Sequence, residues 1–168
     1  MGVHHPVRSV GAREVRFYAR TFAWTIWGCV ILDTIDPLAL VEERLAGLPG
    51  RLYFQAPSDF LRRLPALIVE QAPPQVFSGN SPHARYGVVS VLTLNAIAGE
   101  RAAAAALCQE ALRMLEDSVH RVTDTGWISR VTVSTVPHLA AHKYEKSSIF
   151  QYSTAVEIVC RAKSPANE

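Results

Sequence analysis

The sequence predicts an α/β (α+β) fold: a single twisted mixed or antiparallel sheet, one long helix across a face, and a shorter N-terminal helix. Three observations carry this. Residues 99–121 place Ala104, Cys108, Ala111, Leu115 and Val119 on one helical stripe, widened by Leu107 and Leu112, with Gln109, Arg113, Glu116 and His120 opposite. Residues 149–161 alternate instead. Phe150, Tyr152, Val156, Ile158 and Cys160 share one face; Gln151, Ser153, Glu157 and Arg161 take the other. Residues 88–95 are nearly all apolar, which predicts a central strand covered on both faces.

The elements follow in order. Asp36-Pro37 starts a helix, because Asp caps well and proline at the first helical position sacrifices no useful N–H. Leu38, Val41 and Leu45 continue it at helical spacing, and Gly47 and Pro49 stop it. Residues 51–54 and 66–70 are strand candidates, with one helical turn capped by Ser58-Asp59 between them. Residues 72–87 hold Pro73, Pro74, Gly79, Asn80 and Pro82 and form a loop by composition. Glu100 suits the positive end of the long helix and Arg121 its negative end. Residues 123–126 read as a turn. In 128–136, Val131 and Val133 face one way and Arg130, Thr132 and Ser134 the other. Residues 137–148 are a polar connection. The last two strands should pair antiparallel.

At 168 residues, 49% hydrophobic and 19% charged, the chain has the length and composition of one globular domain. Residues 1–35 read as an N-terminal extension and residues 36–168 as the core domain. The net charge of +2 arises in the extension, where Arg8, Arg13, Arg16 and Arg20 outnumber Glu14 and Asp33, so the core domain is neutral. No basic stripe marks a nucleic-acid groove. Residues 22–32 form an apolar run behind those arginines. Asp33-Thr34 follows it where a signal peptide would have small residues, and the run is about half of the ~20 residues a membrane span needs. We assign it to packing. Cys29, Cys108 and Cys160 are odd in number, show no C-x-x-C spacing and sit in apolar runs, as reduced core thiols do.

The sequence has no G-x-S-x-G elbow, P-loop or G-x-G-x-x-G. Ala98-Gly99-Glu100 joins a strand to a helix, but Glu100 would repel phosphate. His138 and His142 have i, i+4 spacing near Glu145, without the H-E-x-x-H pattern and behind Pro137, so they read as a surface pair and the metal assignment is none. Cys108 and His120, placed on one helix, would be separated by about 18 Å of rise and cannot form a nucleophile–base pair. Catalytic and cofactor-binding residues are likewise none. Most of Tyr53, Phe54, Phe77, Tyr86, Tyr144 and Phe150 fall in predicted strands or loop ends rather than beside a positive groove. Phe77 and Tyr86 differ, because a Pro/Gly loop cannot easily bury them in its own domain. With Arg85 they are the residue types enriched at interface hot spots, so Phe77, Arg85 and Tyr86 are the candidate interface residues.

The helix DPLALVEERL from Asp36, the strand LPALIVE ending at Glu70, a long loop, the strand at 88–95, the Ala-rich helix at 100–115 and the closing strand FQYSTAVEIV from Phe150 form a series. Over roughly 36–162 this order resembles the tail terminator (tail completion) proteins of long-tailed bacteriophages, especially of the actinobacterial-phage type. The final strand, with its aromatic-Gln-aromatic step, is the most telling piece. The resemblance implies a structural virion protein, not an enzyme, needing no cofactor. It implies a hexameric ring that caps the completed tail tube and faces the neck of the DNA-filled head. The implied partners are further copies of itself, the tail tube protein and a neck or head-completion protein, with DNA passing only transiently through the lumen and no membrane. The implied place is the virion's tail–neck junction, reached from the host cytoplasm. Residues 1–35 depart from the family, whose chains begin near the helix at Asp36. The competing readings are another head–tail joining subunit, a small cytosolic α/β hydrolase, and a ligand-binding module.

Overall fold

In the computed structural model, residues 35–76, 87–140 and 148–163 are described, all within the compact unit Leu32–Glu168. The apolar run at 22–32 and all of the expected extension but Ile35, which is buried in the core, lie outside the described residues.

Helix α1, Pro37–Arg44, begins as its sequence dictates. The Asp36 side chain accepts a hydrogen bond from the Leu38 amide at 2.9 Å, and Pro37 occupies the first turn. Its buried side is Pro37, Leu40 and Val41, followed by Leu45; Leu38 is only half-buried. Strand β1, Arg51–Tyr53, lies parallel to β2, Ala66–Gln71. Between them Phe60–Arg62 forms a single 3-10 turn. Asp59 does not cap it; the carboxylate pairs with Arg63 at 2.8 Å instead.

The predicted loop at 72–87 is partly structured. Gln75–Val76 forms a short strand, β3, paired antiparallel to the start of β4, Gly87–Ala98. Pro73 and Pro74 immediately precede β3, where their missing N–H groups break no rung.

The long helix α2 runs Arg101–Asp117, shorter than expected. Ala104, Cys108, Ala111 and Leu115 are fully buried, as the stripe requires. At the C-terminal end Ser118 donates from its hydroxyl to the Leu115 carbonyl at 2.6 Å and takes the buried position expected of Val119. The His120 amide then leaves the helix for the Ile128 carbonyl, with His120 at φ 64. Side-chain competition for a carbonyl and one left-handed residue end the helix early.

Strands β5, Trp127–Leu139, and β6, Phe150–Arg161, pair antiparallel as expected. The sheet order is β1-β2-β4-β6-β5, so β6 lies inside and β5 at the edge. Strand β5 overruns its predicted end. Pro137 is tolerated because only one side of an edge strand makes a ladder. Register shifts between Ile128 and Arg130 and between Val133 and Thr135 each insert one residue. The second removes Ser134 from the expected alternation; Arg130 and Thr132 keep it.

Cross-strand partners define the two faces. Leu67, Val69, Leu92, Leu94, Ala96, Val156, Ile158 and Cys160 lie beneath α1 and α2 in one core with Leu40, Leu107 and Leu115. A small second cluster of Ile68, Ile97 and Ile149, with Tyr53, Phe60, Leu61 and Leu64 against it, occupies one end of the opposite face. Strand β4 is therefore covered on both faces only at that end. Toward its start Val91 is 41% exposed, so the expectation of full cover is corrected.

Candidate interaction surface

Beside the isoleucine cluster the opposite face carries buried polar side chains. Asn95 and Ser153 are opposed residues on β4 and β6, and Gln151 is opposed to Ile97. Asn95 Oδ1 accepts from Ser153 Oγ at 2.6 Å and from Gln151 Nε2 at 2.9 Å. Gln151 Oε1 and the Tyr53 hydroxyl are buried without a hydrogen-bond partner. Farther along, the face opens. Glu157 holds Arg130 across the β5–β6 pair at 3.0 Å, with more than half of the Arg130 side chain exposed.

At the far corner lies a recess of about 520 Å³ lined by His120, Trp127, Ser129, Arg130, Val159 and Arg161. Three local features build it. Gly126, at φ +133, turns the chain into β5 where a Cβ would press on the Arg161 carbonyl and on Ile35. Trp127 then sits opposite Arg161, and Arg130 opposite Val159. Between them Ser129 is the extra residue of the bulge, its hydroxyl donating to the Val159 carbonyl at 3.1 Å. With Ser129 paired in a regular ladder Arg130 would fall on the core face; the bulge keeps it on the face that carries Trp127 and Arg161.

The edge itself is long. Among the described residues β5 pairs only with β6, and its later half exposes Val136 at 72% and Leu139 at 41%. Between Val131 and Val136 it carries no charged side chain. Such edges are templates for a further strand unless bulges or proline blunt them, and β5 has both.

Other sequence candidates separate clearly. Phe77, Arg85 and Tyr86 lie outside the described residues, as do Cys29 and His142. Tyr53 and Phe54 pack against core clusters rather than forming a stacking platform. His138 is on a strand, its Nδ1 3.1 Å from the Val136 carbonyl oxygen, and no group of three metal-capable side chains occurs among the described residues. Cys108 and Cys160 are free and buried. Burial pushes the Cys108 thiol up to about 11. Burial, with a smaller effect of the Asp36 carboxylate, pushes Cys160 up to about 12. Both stay protonated at neutral pH, which removes the thiolate that a nucleophile needs. No helix among the described residues is long and apolar enough to cross a membrane.

The sequence matches no protein-family model and no curated protein. A chain of a solved structure described as "Virion of native gene transfer agent (GTA) particle" is similar at 15% identity and a TM-score of 0.47, over 74% of this chain and 93% of that one.

The recess was missed in the sequence. Arg130 was placed on the polar face, yet nothing in the periodicity shows that a bulge at Ser129 aligns it with Trp127. The available signal was the tryptophan itself, set directly after a Thr-Asp-Thr-Gly turn where a strand begins.

Proposed function

We propose that this protein is a structural virion subunit, a ring-forming tail terminator that caps the tail tube and joins it to the head or neck. The reading rests on the resemblance of residues 36–162 to that family. The structural observation that carries it is the disposition of the sheet. Both described α-helices cover one face, while on the other face Glu70 and Val91 are exposed and the 13-residue edge strand β5 is exposed along its later half. A subunit that acts by contact needs such surfaces, and a closed ring needs two unlike patches on each copy. On this reading the copies form a hexamer around a lumen through which DNA passes, between tube protein and neck protein. The work is docking, without a cofactor.

On sequence grounds we also assign Phe77, Arg85 and Tyr86 to contacts with those partners. Phe77→Ala should leave the melting temperature nearly unchanged and lower the yield of completed tails. Normal yield from a well-folded variant would reject that role, and a large loss of stability would place Phe77 in the core.

The reading as a whole is tested by imaging assembled particles that carry an epitope label on this chain. A rotationally symmetric ring at the tube–neck junction is the expected result. Label elsewhere, a single off-axis copy, or a two-fold dimer would overturn it.

A further inference from the structure

We propose that the corner recess of the open sheet face binds an acidic segment of a partner protein. One carboxylate sits between the guanidinium groups of Arg130 and Arg161, and an apolar neighbour in the same segment rests on Trp127. The inference does not depend on the tail-terminator reading; a ring could form without this partner, and the partner could bind outside any ring.

Four observations converge. Trp127 and Arg161 are directly opposed, and Arg130 is opposed to Val159, so the two arginines are diagonal neighbours on adjacent strands. Diagonal pairs stand about 7–8 Å apart at the backbone, within joint reach of long side chains. The Ser129 bulge puts Arg130 on this side of the sheet, and its hydroxyl is tied to the Val159 carbonyl, which fixes the local geometry. His120 reaches the same recess from the end of α2. The volume, about 520 Å³, accommodates a few side chains of an inserted segment. Trp and Arg are the residue types that anchor protein interfaces.

The chemistry favours a carboxylate. A guanidinium presents a planar fork that matches a carboxylate's two oxygens. Arg130 already demonstrates the pairing within the fold, where Glu157 holds it at 3.0 Å in an exposed pair. Such exposed pairs are weak, so an incoming carboxylate can share or replace Glu157 at little cost. Arg161 has interactions of its own within the fold, and the proposal needs only that one face of its guanidinium reach the recess. A phosphate backbone fits less well. Among its described lining residues Trp127 is the one Phe, Tyr or Trp, and the net charge of the chain is only +2. Strand-binding proteins align several aromatics along a continuous positive groove.

The test uses the full chain and a short fluorescein-labelled peptide of alternating aspartate and leucine, followed by anisotropy. Saturable binding is expected, weakening as salt rises. Arg130→Gln should weaken it roughly tenfold or more, the scale of a lost charge-assisted hydrogen bond. Glu157→Gln should tighten it, because the internal competitor is gone; a merely structural role for the Arg130–Glu157 pair does not give that gain. If Arg130→Gln does not fold, the Glu157→Gln result still decides. Arg113→Gln, on the outer side of α2, should bind as the parent does. Absence of saturable binding, unchanged or weaker affinity in Glu157→Gln, or equal binding of the asparagine-for-aspartate peptide would overturn the proposal. So would an oligothymidylate that binds more tightly and displaces the peptide, which would instead mark a nucleic-acid site.

Discussion

At the level of single residues, the fold's least forgiving positions are those where a side chain has no second choice. Leu115 is fully buried beneath α2, so Leu115→Ala should cost about 2–5 kcal/mol by the combined loss of transfer energy and the cavity left behind. Leu115→Asp should cost more, because an unpaired carboxylate cannot stay charged there. Denaturant unfolding measures both, and a near-parental midpoint would mean that α2 faces the other way. Gln109→Asp, on the exposed side of the same helix, should be mild. The thiols make a second prediction. An ordinary cysteine ionises near 9.0, whereas Cys108 and Cys160 hold their protons to about 11 and about 12. As pH rises above 9 the unfolded chain therefore releases these protons first, and the thiols' contribution to stability, complete below that pH, declines toward 11–12. The unfolding midpoint should fall over that range, less steeply in Cys160→Val. Equal slopes would count against the burial argument.

Elements show what a sequence can and cannot announce. The start of α1 was legible because Asp36-Pro37 is a local signal, and the cap bond forms as expected. The buried stripe of α2 and the two faces of β6 were legible because each repeats its period over many residues. The end of α2 was not, since Ser118 and His120 act through one carbonyl and one backbone angle, which leave no periodic trace. The course of β5 through Pro137 depends on its place at the sheet edge, and edge or interior is a property of the whole fold. The polar cluster on β4 and β6 was hidden for the same reason, because Asn95 and Ser153 lie 58 positions apart and meet only by register. Asn95→Ala should cost about 1–3 kcal/mol by removing the shared acceptor of Ser153 Oγ and Gln151 Nε2, which keep only their mutual 3.2 Å contact in a buried place. Removing Asn95 and Ser153 together should cost less than the sum of the single changes, as a double-mutant cycle would record.

For the molecule as a whole, the one-sided placement of the described α-helices agrees with the α+β architecture expected from the sequence, while the proposed contact surfaces were only partly visible. Phe77, Arg85 and Tyr86 stand out in the sequence as interface-type side chains in a Pro/Gly loop; the recess at Trp127 exists only through the pairing of β5 with β6. Gly126→Ala tests how far the corner depends on its turn. With φ at +133 and no room for a Cβ beside the Arg161 carbonyl, it should lower stability by about 1–3 kcal/mol. It should also disturb Trp127 fluorescence, best read in a variant whose other tryptophans are replaced. An unchanged melting curve and spectrum would show that the turn relaxes freely.

The inside position of β6 bears on how the chain is made. Strands β4 and β5 flank β6 on either side and are joined through it. A ribosome releases β4, α2 and β5 before β6 exists, so for that interval β4 and β5 both wait with an unfilled ladder edge and the apolar stripe of α2 has only part of its floor. The sheet can close only after residues 150–161 emerge, so its two halves stay apart until β6 slides between two strands that are already made.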